Sequence, residues 1–223
     1  MDFVKKYRSV IVCTVVVIIC GIFGGYMYYK RTPGYTLKLI QESIKKHDYV
    51  TFSKHVDTKS ILSFAYDDMV SEALNESNED ENINELTRGL AAMIKAPILD
   101  SLNNQIEIYI KTGEMPDESK TNKKSADAAA DDLVKKTNLR TLSLTGLGNS
   151  QKKGDFSIIE VIVHDSELNT DLLLKLKAIQ LEDGTWKVLK INNFNDFLKG
   201  INTRKENNIP IHNQINYSSN NSK

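Results

Sequence analysis

The sequence predicts an α+β protein, with an N-terminal transmembrane helix followed by several helices packed on a curved antiparallel sheet of about four strands. Three observations predict it. Residues 9 to 29 hold no charged side chain and lie between Arg8 and Lys30. Apolar residues then recur at helical spacing from about Tyr35 to Tyr109, and from Asn138 the period falls to two. Helices first and strands afterwards is the order of an α+β fold, with the helices on one face of the sheet.

The uncharged run gives roughly 31 Å of helix, close to the ~30 Å hydrocarbon core of a bilayer. A cleaved leader has a shorter apolar core and ends in small residues. This run ends in Tyr26, Met27, Tyr28 and Tyr29, which resembles an interfacial aromatic belt. Cys20 could end a lipobox, but Ile19 stands where a small residue belongs, so a retained anchor is expected. Cys13 and Cys20 both fall inside the run and cannot staple an outer domain. The domain bounds read as a cytoplasmic tail over 1–8, an anchor over 9–31, an outer domain over 32–202 and a disordered tail over 203–223. Lys5, Lys6 and Arg8 against Lys30 and Arg31 tip the orientation slightly toward N-terminus inside, with the C-terminal domain outside the cell membrane. Gly21 and Gly25 make a GxxxG spacing that can bring two such helices together as a homodimer.

Beyond the anchor, Leu37, Ile40 and Ile44 mark a first helix after Thr32-Pro33. Asp48 is placed to cap a short helix carrying Val50, Phe52 and Val56, and Asp57 or Thr58 to cap a third. An acidic loop over 75–82 precedes a long helix from Ile83 to Tyr109, which Pro97 should kink or divide. Residues 113–124 read as a linker and 126–136 as a short helix. Leu142 and Leu144 alternate with polar residues, and Gly146-Leu147-Gly148 reads as turn chemistry closing that strand. Phe156 to Val163 is apolar on both faces, as a central strand would be. Leu172, Leu174, Leu176 and Ala178 line a third strand, and Asp183-Gly184 turns into a fourth through Trp186 and Val188. Asn193 is placed to open a final helical turn that Gly200 closes.

Charge excludes some functions. The chain is neutral overall, but residues 1–31 carry five basic residues against Asp2, a net +4, which leaves −4 outside. A mildly acidic domain lacks the footprint of a nucleic-acid binder. His47, His55, His164 and His212 show no metal-ligand spacing, although His47 and His55 could approach one another with Asp48 or Asp57 nearby. Glu76, Glu79, Asp80 and Glu81 lack the alternation and central glycine of a calcium loop. Asp131 and Asp132 are adjacent, so on a helix they point apart. No catalytic motif, cofactor fingerprint or metal set stands out. Tyr35, Tyr49, Tyr66, Tyr109 and Trp186 are the aromatics best able to line a pocket in a concave sheet, or else they are plain core.

Residues 32–57, TPGYTLKLIQESIKKHDYVTFSKHVD, resemble the opening of a membrane-anchored bacterial family of unknown function, through Thr32, Pro33, Tyr35, His47, Asp48, Phe52, Val56 and Asp57. Residues 184–198, GTWKVLKINNFNDFL, are similar to the same family's last hairpin and closing turn. The opening also looks like domains of the nuclear-transport-factor-two-like, or cystatin-like, superfamily. That resemblance implies a cone of helices and sheet with a pocket, and brings no catalytic residues with it. The expectation is therefore a single-pass, non-catalytic envelope module that binds a ligand or protein partner and needs no cofactor. A scaffold subunit of an envelope or secretion assembly and an enzyme using the pocket are the alternatives.

Overall fold

A computed structural model of the chain describes residues 17–76, 81–114, 142–167 and 169–200. Residues 17–30 are helical and form α1. Among the described residues no helix is long and apolar enough to cross a membrane. Residues 9–16 of the expected span lie outside them. So do residues 115–141, with the expected short helix and Asp131 and Asp132, and the tail over 203–223.

The chain turns sharply after α1. Thr32 donates its hydroxyl to the Tyr29 carbonyl and accepts from the Tyr35 amide, which caps the next helix, and Pro33 occupies its first position. Helix α2 is Pro33–Lys45 and α3 is Tyr49–His55. Asp48 caps α3 by accepting from the Thr51 amide at 3.0 Å. Asp57 caps α4, Thr58–Glu76, by accepting from Ser60 at 3.1 Å, while its own amide reaches the Val188 carbonyl. Val50 points outward rather than into the stripe expected of α3; only Phe52 of that helix's apolar residues is buried. Helix α5, Glu81–Thr112, is unbroken through Pro97, so the expected division does not occur. Proline removes one donor from the carbonyl four residues earlier. That residue is Met93, which is well exposed, so water can take the donor's place.

Four antiparallel strands follow as a meander in the order β1-β2-β3-β4: β1 Leu142–Lys153, β2 Phe156–Asp165, β3 Thr170–Gln180 and β4 Trp186–Ile191. Gly146 and Gly148 do not close β1. They lie inside it, where the register against β2 shifts between Leu144 and Gly146 and again between Leu147 and Ser150. Such shifts bend a strand. Gly148 is needed at the second, because a Cβ there would stand 2.9 Å from Glu160 Cβ. The turn comes later, at Gly154-Asp155, with Gly154 at φ +63°. Val56 adds a parallel bridge to Val188 at the β4 edge.

Among the described residues the sheet has one covered face. Along β2 the buried residues are Ser157, Ile159, Val161, Val163 and Asp165, and the intervening ones are half-buried. The second apolar face expected of β2, with Phe156, Ile158 and Ile162, is therefore not a buried one among the described residues. Leu37 of α2 packs with Ile159, Val161, Ala178, Trp186 and Val188 to form the main core. A second cluster joins Val163 and Leu172 to Phe197, on the closing helix α6 over 194–200. Asn193 does not cap α6 with its side chain, as expected. Its Oδ1 accepts from the Lys175 amide and its Nδ2 donates to the Leu173 carbonyl, each at 2.8 Å, so it continues the β3 ladder. Ion pairs Lys190–Asp68 and Lys199–Glu72, with Asn195 on Asp68 and Glu72, tie α4 to β4 and α6.

Candidate functional site

The end of α1 meets the β3–β4 turn, and several polar contacts converge there. Trp186, the single tryptophan, donates its indole N–H to the Arg31 carbonyl at 2.9 Å and its amide to the Thr36 hydroxyl at 3.0 Å. Its carbonyl meets His55 Nδ1 at 3.0 Å. A carbonyl only accepts, so Nδ1 carries the proton. Asp183 folds the turn by accepting from both the amide and the hydroxyl of Thr185, and it pairs with Lys54 at 2.5 Å. Lys54 first and the Thr185 hydroxyl second hold the Asp183 carboxyl far below its usual range. Gly184 takes φ +84°, and the stem of Arg31 lies against it so closely that a Cβ would be 2.7 Å from Arg31 Cγ.

Asp183 yields a test of this turn. Its folded value lies below the unfolded one, so its stabilisation is present above pH ~4 and fades as pH falls below that. Asp183→Asn is expected to lower the melting temperature at neutral pH. The gap to wild type should close as the pH is lowered, because the wild type then loses the same contacts. A gap that stays constant across an acid melting series would show that the carboxylate's charge is not what matters.

These groups surround a cavity of about 310 Å³, lined by Lys30, Arg31, Lys54, His55, Tyr35 and Asp183, with Met27 and Leu39 at its apolar side. A second cavity, of about 550 Å³, lies between α4 and α5, where Tyr66 donates to the Ala91 carbonyl and Lys95 pairs with Asp67. A third, of about 420 Å³, opens on α5 around Leu86, Gly89, Leu90 and Met93. None of the three draws a lining residue from the sheet strands. The sheet's covered face is filled by side chains instead.

The five aromatics read as pocket lining or else as plain core are dispersed. Tyr35 lines the cavity at the foot of α1, stacked edge-on with Tyr29 at 5.4 Å, and Tyr66 lines the α4–α5 cavity. Trp186 is core. Tyr49 donates to Glu107 at the other end of the helical layer, under Lys111, and Tyr109 is exposed. Burial and then Glu107 raise the Tyr49 pKa, while Lys111 lowers that of Glu107. Gly21 and Gly25 both look onto open space. His47 and His55 do not approach as a ligand pair: the first turns to the Ile110 carbonyl, the second to Trp186. Among the described residues no group of acidic, histidine or cysteine side chains could hold a metal. Glu79 and Asp80 fall outside them. An Asp–His pair does occur, His164 with Asp171 at 2.9 Å, but it sits on the sheet's outer face and Asp171 is mostly exposed.

Sequence reasoning missed Arg31, Lys54, His55 and Asp183 as neighbours. The one local signal was Asp183-Gly184, which marks the turn but not what the turn faces. The fold and cavity define a class: an α+β domain with a one-sided antiparallel sheet and a cationic cavity where its first helix enters. The chain matches no family model, no curated protein and no solved structure.

Proposed function

We propose that the chain is a single-pass, membrane-anchored, non-catalytic module of the bacterial cell envelope that binds a ligand or partner outside the membrane. One observation carries the reading. Helix α1 presents Val17, Ile18, Ile19, Ile22 and Phe23 to its surroundings, each more than half exposed, and Gly21, Gly24 and Gly25 touch nothing. Apolar side chains exposed on all sides of a helix need lipid or another helix around them. In the sequence the uncharged run begins at Ser9, ahead of this helix, and 21 residues is about the number a bilayer-spanning helix needs. Alkaline carbonate should leave the chain in the membrane pellet, and protease added to intact cells should remove residues 32–200. Release by carbonate would refute the anchor; protection from protease would refute the orientation.

A second reading, the scaffold, is favoured by α5. Ile83, Leu86, Leu90 and Met93 are 46% to 76% exposed and follow the 3-4-3 spacing of a coiled-coil seam. The pattern reads the same in both directions about Arg88. In an antiparallel pair Ile83 faces Met93 and Leu86 faces Leu90, the self-complementarity that a two-fold contact between copies requires. Gly89, beside the seam, has open space above it. Eight such side chains bury about 100 Å² each, or ~800 Å² in all, short of the ~1,200 Å² of a standard interface. The pair is therefore expected where an anchor concentrates the copies. Crosslinking of the chain in its membrane should capture a dimer that Leu86→Glu with Leu90→Glu converts to monomer. A dimer that survives this change but not Gly21→Ile with Gly25→Ile would place the contact in α1 instead.

A further inference from the structure

We propose that the cavity at the foot of α1 is a binding site for a phosphate group, presented by an anionic phospholipid at the membrane surface. The inference deepens the membrane-anchored reading and rests on it. The first support is charge. Lys30, Arg31 and Lys54 line the cavity against the single carboxylate of Asp183, although residues 32–223 together carry a net charge of −4. Asp183 is committed to Lys54 and to its own turn. Lys30 and Arg31 have no carboxylate partner among the described residues, and Lys30 Nζ rests instead 4.5 Å above the Tyr26 ring. Two cations without counter-ions beside a half-enclosed space attract an anion. A guanidinium suits phosphate best, because its fork meets two oxygens at once.

The second support is His55. The ring is 2% exposed, and its Nδ1–H is taken by the Trp186 carbonyl. Nε2 has no hydrogen-bond partner among the described residues, and His55 lines the cavity, so this ring nitrogen is left for a ligand. The hydroxyl of a glycerol headgroup, or that of inorganic phosphate, can donate to it. The third support is position. Met27 and Lys30 lie one turn apart on α1, where the uncharged run ends, and Met27 and Leu39 give the cavity an apolar side. A lipid alongside α1 would meet the apolar side with its glycerol and the cations with its phosphate. The site is also pre-set, since Gly184 and Thr32-Pro33 fix the backbone on both sides and Arg31 lies against the glycine.

Trp186 provides the readout, because it touches Arg31 through its indole and His55 through its carbonyl. The full chain in neutral detergent is titrated with short-chain phosphatidylglycerol, with phosphatidylcholine of equal chain length and with inorganic phosphate, and tryptophan emission is followed. A saturable change with phosphatidylglycerol alone identifies a lipid headgroup. The same change with inorganic phosphate identifies a free anion as the source. Arg31→Gln is expected to weaken the midpoint about tenfold, the loss of one strong charge-assisted contact. Lys30→Gln, at the end of α1, is the second variant should Arg31→Gln fail to fold, and a melting curve decides which is read. Lys152→Gln with Lys153→Gln removes two positive charges from β1, at the opposite edge of the sheet from β4, and should leave the midpoint unchanged. No saturable change with either phosphate compound, or equal weakening by the β1 variant, overturns the proposal. Carbonate extraction of the same chain separates the two readings: retention with no phosphate response sinks the site and spares the anchor.

Discussion

Trp186→Ala is expected to lower the stability of the outer domain by about 4 kcal/mol, the cost of emptying a large aromatic site in a packed core. The ring is 4% exposed and packs with Leu37, Ile159, Val161, Ala178 and Val188, where helix α2 meets three strands. The backbone bonds to Thr36 and His55 survive the substitution. The indole bond to Arg31 does not, and that carbonyl then loses its donor at the point where α1 joins the domain. For a domain of this size the loss corresponds to a melting temperature lower by about 10 °C. Trp186→Phe separates the two contributions. It keeps most of the apolar volume and loses the indole donor, so about 1 to 2 kcal/mol is expected. Thr36→Val removes the acceptor of the buried Trp186 amide at nearly constant volume and should cost about 1 to 3 kcal/mol by stranding that donor. Urea unfolding followed by far-ultraviolet circular dichroism measures all three without the tryptophan signal. A Trp186→Ala loss below about 1 kcal/mol would mean that the core does not depend on this ring.

The sheet was legible in the sequence because local signals and tertiary demand agree there. Leu172, Leu174, Leu176 and Ala178 alternate because one side of β3 is covered, and Asp183-Gly184 turns because only a residue at ease with positive φ fits. The helix caps at Asp48 and Asp57 follow for the same reason. Three other signals were overruled by context. Gly146 and Gly148 suggest a turn, yet they serve register shifts against Ile162 and Glu160, residues that lie more than ten positions away. Asn193 suggests a cap, yet its amide completes the edge of β3. Pro97 suggests a break, yet the carbonyl it strands is on an exposed helix face, where water makes the loss bearable.

The cavity was not legible, and the reason is physical. Its residues come from the end of α1, from α3 and from the β3–β4 turn, so Arg31, Lys54 and Asp183 are brought together only by the closing of the meander under the first helix. No period or spacing encodes that meeting. The tyrosines invited a pocket because they are amphipathic, but the sheet's covered face is filled by Leu, Ile, Val and Trp side chains. The aromatics accordingly sit at the edges, where a hydroxyl can reach Glu107 or the Ala91 carbonyl.

Phe197→Ala is expected to cost about 3 to 4 kcal/mol and to act locally. The domain has two apolar clusters, and only the smaller one, Val163, Leu172 and Phe197, depends on α6. That helix is short, so little of its order is intrinsic; packing holds it. Phe194 and Phe197 are its buried residues, and Asn195 bonds to Asp68 and Glu72 of α4. Emptying the Phe197 site leaves a void against the end of β2 and the start of β3, away from the main core around Leu37. Hydrogen exchange should then lose protection in α6 and around Val163 and Leu172, while Ile159, Ala178 and Val188 keep theirs. Trp186→Ala should do the opposite, lowering protection through the main core first. If both variants reduce protection uniformly, the two clusters form one cooperative unit, and α6 is as integral to the domain as the strand that carries Trp186.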